Sequence, residues 1–171
     1  MDDKPHIGVS QCLLGDPVRY DAASRASSVV VNTLGRIFEL IPVCPEVEAG
    51  MSVPRPPVQL TGSIAQPRMT GRDNPGLDVT EQIIEFAEQR LPVLDHIHGF
   101  VFKSRSPSCG LNSTPVFIDG ICVTESSRGL FARAVCQHYP DLPVIEDSEL
   151  DSEQALQAFI DAVMARAQTK T

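Results

Sequence analysis

Apolar residues in this chain come in short runs separated by turn-forming residues, and the runs carry two different spacings. Four are brief, continuous and rich in β-branched or aromatic residues, as expected of strands buried on both faces. They are His6–Ser10, Phe38–Val43, Gly99–Phe102 and Leu142–Ile145. Between them lie stretches with helical spacing. Val29, Val30, Leu34 and Ile37 suggest a helix capped by Ser24 or Ser27, weakened by three consecutive valines. Asp78-Val79-Thr80-Glu81 has the form of a capping box with Asp78 as N-cap, and Ile83, Ile84, Ala87 and Leu91 continue it to an end near Pro92 or Asp95. Leu130 to His138 reads as a further helix, and Asp151-Ser152-Glu153-Gln154 opens a last one through Leu156, Phe159, Ile160 and Val163. Asp119-Gly120, set between Pro115–Ile118 and Ile121–Thr124, is a hairpin signal.

Alternating strands and helices predict one α/β domain with a mainly parallel sheet flanked by helices, a Rossmann-like layering. It would span residues 1–171, with its core over about 5–147 and the terminal helix over about 151–167. The stretch from Val47 to Gly76 departs from the pattern. It holds Pro54, Pro56, Pro57, Pro67 and Pro75, interspersed with Arg55, Arg68 and Arg72. A long Pro-rich loop inside a compact domain suggests a lid or wall, with short strands around Val58–Leu60 and Ser63–Ala65. No GxGxxG follows the first strand and no GxxxxGK[ST] occurs, so neither nucleotide-binding fingerprint is present.

Charge and composition narrow the function classes. A formal net charge of -8 opposes a general affinity for nucleic acid, which needs a basic footprint. Aromatics make up only 5% of the chain and Trp is absent, which argues against a stacking platform for single strands. The first residues, Met-Asp-Asp-Lys-Pro-His, form no apolar signal segment, and no run approaches the roughly 18 apolar residues of a membrane span. A cytoplasmic protein with no membrane partner is expected. Nothing in the sequence fixes its oligomeric state.

In such a compartment five cysteines are normally reduced, and an odd number leaves any disulfide scheme incomplete. Three of them, Cys12, Cys44 and Cys109, directly follow predicted strands and have Gly or Pro close by. In an open parallel sheet the carboxyl ends of the strands share one edge, where ligands bind. Thiolates are soft ligands suited to zinc, copper or an iron–sulfur cluster, and a three-ligand set leaves a coordination position open. Burial is the competing fate of any cysteine. It is the reading taken for Cys122, in an apolar strand, and Cys136, on a helix. Glu46, two residues after Cys44, could serve as general base, or be a solvated loop charge like Glu48. Ser106 could orient a substrate, or simply start the turn that Pro107 continues. Arg19, Arg55 and Lys103 are candidate anion or carbonyl contacts. The four histidines make no HExxH or related cluster.

Three segments together resemble a known family. Val9-Ser10-Gln11-Cys12-Leu13-Leu14-Gly15 with Val18-Arg19-Tyr20-Asp21 is similar to its first signature. Pro42-Val43-Cys44-Pro45-Glu46-Val47 with Pro54-Arg55 is similar to its second, and Lys103-Ser104-Arg105-Ser106-Pro107-Ser108-Cys109-Gly110 to its third, with Asp78-Val79-Thr80 between them. This is the family of bacterial thiouracil desulfurases, formerly known as a domain of unknown function. The resemblance covers nearly the whole chain. It implies a 4Fe–4S cluster held by Cys12, Cys44 and Cys109, with one iron open and an additional sulfide bound during turnover. It further implies Glu46 as catalytic acid/base, Ser106 as catalytic serine, and hydrolysis of a small thiolated nucleobase such as 2-thiouracil to the oxo base and sulfide. Two positions depart from the family pattern. Ala49-Gly50-Met51 stands for a Gly-Gly-Leu segment, and Ala22 for a common glycine. The residues alone leave two other classes open: a cluster- or zinc-stabilised small-ligand-binding module without catalysis, and a sulfur or persulfide carrier.

Overall fold

The protein, as a computed structural model, is described over residues 3–22 and 25–169; Ser24, one of the two expected caps, lies outside them. Four short apolar runs pair side by side as a wholly parallel sheet: β1 (His6–Ser10), β2 (Glu39–Val43), β5 (Phe100–Phe102) and β8 (Val144–Glu146), in the order β2-β1-β5-β8. Both faces are covered, which is why these strands carry few polar residues. Phe100 and Phe102 point to one face, where they meet α3 (Thr80–Arg90) through Ala87 and α4 (Leu130–His138) through Phe131, Ala132 and Val135. Ile7, Val9, Val101 and Ile145 point to the other, against Val30, Leu34 and Phe38 and against Phe159 and Val163 of α5 (Glu153–Thr169). Gly8 is required in β1, because a Cβ there would stand 2.4 Å from the Phe100 ring.

The expected single sheet is in fact two. The Pro-rich stretch and the hairpin build a second, mixed sheet from β3 (Val58–Thr61), β4 (Arg68–Gly71), β6 (Thr114–Ile118) and β7 (Ile121–Ser127), ordered β4-β3-β6-β7. Only β3 and β6 run parallel in it. Leu60, Met69 and Val116, all at 0% exposure, pack with Ile83 of α3 in a core of their own. The second strand of the Pro-rich stretch is β4 and not Ser63–Ala65. Gly62 turns the chain with φ 89° and the Ser63 hydroxyl accepts the Gln66 amide, so the return strand begins only at Arg68. The Asp119-Gly120 turn forms as expected, with φ 51° and 76°, the two positive values a type I′ turn demands.

Helix starts follow local chemistry. Ser27 Oγ accepts the Val30 amide, and the valine run winds as a π-helical stretch, Val29–Leu34, that passes into the short α1 (Gly35–Ile37). Asp78 accepts the Thr80 amide and hydroxyl, but Glu81 does not close the box; it pairs with Arg68 at 2.9 Å instead. The N-cap position falls to Val79, and α3 ends in a 3₁₀ turn, Leu91–Leu94, around Pro92. Among the described residues no helix is long and apolar enough to cross a membrane.

Candidate active site

In the parallel sheet the strand order reverses direction between β1 and β5, and ligands of such sheets sit outside the carboxyl ends at that point. β1 ends on Ser10 and a single 3₁₀ turn that contains Cys12. β2 ends on Cys44, where Pro45 stops the strand and occupies the first position of a one-turn helix, α2 (Pro45–Glu48). That turn carries Glu46 back toward the sheet edge. Glu48 Oε2 accepts the Cys44 amide at 2.8 Å, so Glu48 caps the turn and is not a free solvated charge. β5 ends on Lys103 and the loop to Cys109. Cys12, Cys44, Glu46, Ser106 and Cys109 all line one cavity of about 450 Å³.

The loop around Cys109 is held from three sides. Asp147 accepts the Ser104 amide at 2.7 Å, and Glu146, 1% exposed, accepts the Leu111 and Asn112 amides at 2.7 and 2.8 Å, so the end of β8 pins both limbs. The first amides of α4 close the third side: Leu130 donates to Pro107 O, and Phe131 and Ala132 donate to Ser108 O. Those N–H groups would otherwise be orphaned at the helix start. Gly110 and Gly129 permit this approach. A Cβ on Gly110 would lie 1.8 Å from Thr114 Oγ1, and one on Gly129 2.5 Å from the Ser108 carbonyl carbon.

All three thiols are free and shielded: Cys12 and Cys109 are buried, Cys44 half-buried. Burial pushes Cys12 up to about 11, with Lys103 and Arg19 pulling it back. It raises Cys44 as well, and raises Cys109 strongly, against the smaller opposing pull of the nearby Ser10 and Ser108 hydroxyls. Cys109 feels the charge of both other thiols, and Cys12 that of Cys44. Among the described residues no group of three Cys, His, Asp or Glu side chains is placed to hold a single metal ion.

Among the described residues Glu46 is the one carboxylate lining the cavity, and it is clamped at both oxygens. Arg55 Nε donates to Oε1 at 3.1 Å, and Ser108 Oγ donates to Oε2 at 3.0 Å. Arg55 is itself fixed by the Ser52 carbonyl and, through its amide, by the Tyr20 carbonyl. Its side chain is 4% exposed. Cations ring the rest of the wall: Arg19, Arg25, Arg72, Lys103 and Arg105. The Arg19 Nε is buried without a hydrogen-bond partner, since Asp21 lies 3.6 Å away. Lys103 Nζ donates to Ser104 and lies 3.8 Å from Asp147.

Ser106 lines the cavity, but its contact with Glu46 is indirect. Its Oγ accepts the amides of Ser108 and Cys109 and lies 3.1 Å from Ser108 Oγ. The hydroxyl that reaches Glu46 belongs to Ser108, which sequence reasoning passed over because two serines of one short motif look alike. Glu146 and Asp147 were also missed, although their place at the carboxyl end of the fourth strand was the available signal. Cys122 departs from its expected burial: β7 is an edge strand and its thiol is exposed, 3.3 Å from Thr124 O. Cys136 is half-buried on α4 against the core. Among the described residues no histidine lines the cavity.

Residues 7–147 match the model of a family described as 2-thiouracil desulfurase. The chain is similar to a solved structure, a [4Fe-4S]-dependent thiouracil desulfidase called TudS, with a TM-score of 0.71 and 30% identity over 92% of this chain and 99% of that one. It is also 34% identical over 110 residues to YbbK of Bacillus subtilis (strain 168), a protein described as uncharacterized, covering 61% of this chain and 72% of the relative.

Proposed function

Because the chain belongs to the 2-thiouracil desulfurase family, we propose that Cys12, Cys44 and Cys109 hold an iron–sulfur cluster beside a general base, Glu46, and that a thiolated pyrimidine is desulfurated between them. The protein is an enzyme of the thiouracil desulfurase kind. The reaction is hydrolytic: 2-thiouracil and water give uracil and hydrogen sulfide with no net redox change. The observation that carries this reading is three free thiols and one clamped carboxylate lining a single cavity.

The donor set fits a cluster better than a lone zinc ion. Tetrahedral zinc at about 2.3 Å from each sulfur needs sulfurs roughly 3.8 Å apart, a grouping absent among the described residues. A four-iron cluster takes each thiolate at a different iron and so accepts a wider set. The solved relative's [4Fe-4S] dependence supports the same choice. Bound by three cysteines, such a cluster would keep one iron free of protein ligands and supply a soft Lewis acid for the leaving sulfur.

The remaining chemistry belongs to this chain's side chains. Arg55 and Ser108 each occupy one lone pair on a different oxygen of Glu46, so further lone pairs stay available for a water. Glu46 takes that water's proton as the new C–O bond forms and the C–S bond breaks. The buried Arg19 Nε, 3.6 Å from Asp21 and without a hydrogen bond, offers a donor to a pyrimidine oxygen. Ser106, at the cavity wall, is the catalytic serine in this reading and acts on the base through its contact with Ser108. The cationic lining favours ligands that carry negative charge, so a thionucleotide is expected to compete well with the free thiobase.

The test is anaerobic reconstitution with iron and sulfide, followed by assay of sulfide release from 2-thiouracil. A brown protein that releases sulfide is expected. A colourless, zinc-loaded protein that leaves 2-thiouracil intact would overturn the reading.

A further inference from the structure

We propose that Ser108 is a positioning residue that ties Ser106 to Glu46 in one fixed hydrogen-bonded chain. This rests on the reading of Glu46 as the base. A carboxylate has no proton to give, so the 3.0 Å contact uses the single proton of Ser108, donated to Glu46 Oε2. Ser108 can then only accept in its 3.1 Å contact with Ser106 Oγ, and Ser106 must be the donor. Ser106 Oγ already accepts the Ser108 amide at 3.2 Å and the Cys109 amide at 3.0 Å. Its two lone pairs and its proton are thereby all committed. The competing acceptor for Ser108, Cys109 Sγ, is farther off at 3.9 Å.

The Ser108 backbone cannot drift to relieve this arrangement. Its carbonyl accepts two α4 amides, at 2.9 and 3.0 Å, and Gly129 packs against it too closely for any Cβ. Ser108 is 2% exposed, so bulk water has little room to replace its hydroxyl. Arg55 holds Oε1 and Ser108 holds Oε2, which sets the plane of the Glu46 carboxylate. Without the Ser108 hydroxyl, Glu46 keeps one anchor of two and Ser106 loses the acceptor that orients its proton.

The experiment is Ser108→Ala in the reconstituted protein, beside Ser106→Ala, the double variant and Glu46→Gln. Iron content should be unchanged, kcat should fall about 10- to 100-fold, and KM should stay within about twofold, as for loss of an orienting partner behind a catalytic group. The double variant should be no slower than Ser106→Ala alone, because residues acting as one chain are not additive. Independently of turnover, the ¹³C-carboxyl resonance of Glu46, identified by its loss in Glu46→Gln, should move in Ser108→Ala. It should also respond to Ser106→Ala only when Ser108 is present. Recorded on both loaded and unloaded protein, this signal decides the link even if the wild type releases no sulfide, an outcome that would instead defeat the functional reading. Normal kcat in Ser108→Ala, additive losses in the double variant, or an unmoved Glu46 resonance would each overturn the proposal.

Discussion

At the carboxyl edge of the parallel sheet, the segments that follow β1, β2 and β5 carry the three thiols, a carboxylate follows β2, and the end of β8 supplies the acids that pin the Cys109 loop. The mixed sheet offers the same cavity only Val58 from its strands, with Pro57 and Arg72 just beyond them. Yet its interior is just as dry, with Leu60, Met69 and Val116 fully buried. The difference comes from strand direction. Parallel strands deliver their carboxyl ends to one edge, so residues distant in sequence meet there. Antiparallel neighbours send successive ends to opposite edges, and what they build is a wall. Substitutions at the first sheet's edge should therefore cost chemistry, and those inside the second should cost stability.

The sharpest separation is expected at Glu46. Glu46→Gln should keep its iron and lose about 10²- to 10⁴-fold in kcat, the range for a general base; iron analysis beside turnover checks both halves. Glu146→Ala should blur the boundary. It leaves the buried Leu111 amide, the Asn112 amide and the Ser113 hydroxyl without their acceptor, at about 1–3 kcal/mol for the buried group. It should lower both the melting temperature and the iron retained, because the loop it frees carries Cys109. Leu60→Ala, by contrast, should cost about 2–5 kcal/mol in urea unfolding while kcat per bound cluster stays near that of the wild type. Cys122→Ser should be nearly silent, within about 0.5 kcal/mol, because that thiol is exposed on an edge strand. A loss of iron in Cys122→Ser would erase the distinction between the two sheets.

The same division governs what could be read from the sequence. Doubly buried strands appear as continuous apolar runs, so β1, β2, β5 and β8 were legible within a residue or two, and with them the placing of Cys12, Cys44 and Cys109 on the wall of one cavity. The mixed sheet was harder. β4 is only four residues long, alternates exposed and buried positions, and begins at Arg68, so no apolar run marks it. β7 reads as a buried strand through Ile121-Cys122-Val123, but its edge position leaves all three exposed. Hydrogen-bond partners across long sequence gaps were beyond reach. Nothing in Ser-Pro-Ser says that the second serine is the one turned to Glu46, 62 positions away. Likewise, Arg55 was legible as a cation near the site but not as the clamp on Glu46 Oε1. That pairing depends on how the Tyr20 and Ser52 carbonyls fix it.

The central claim is that Cys12, Cys44 and Cys109 together hold one cluster. Its most direct test is the iron and acid-labile sulfide bound per chain after anaerobic reconstitution, in the wild type and in Cys12→Ala, Cys44→Ala and Cys109→Ala. The account predicts about four irons and four sulfides per wild-type chain, and loss of the bound iron in each of the three variants. Wild-type iron content in any one of them would contradict it.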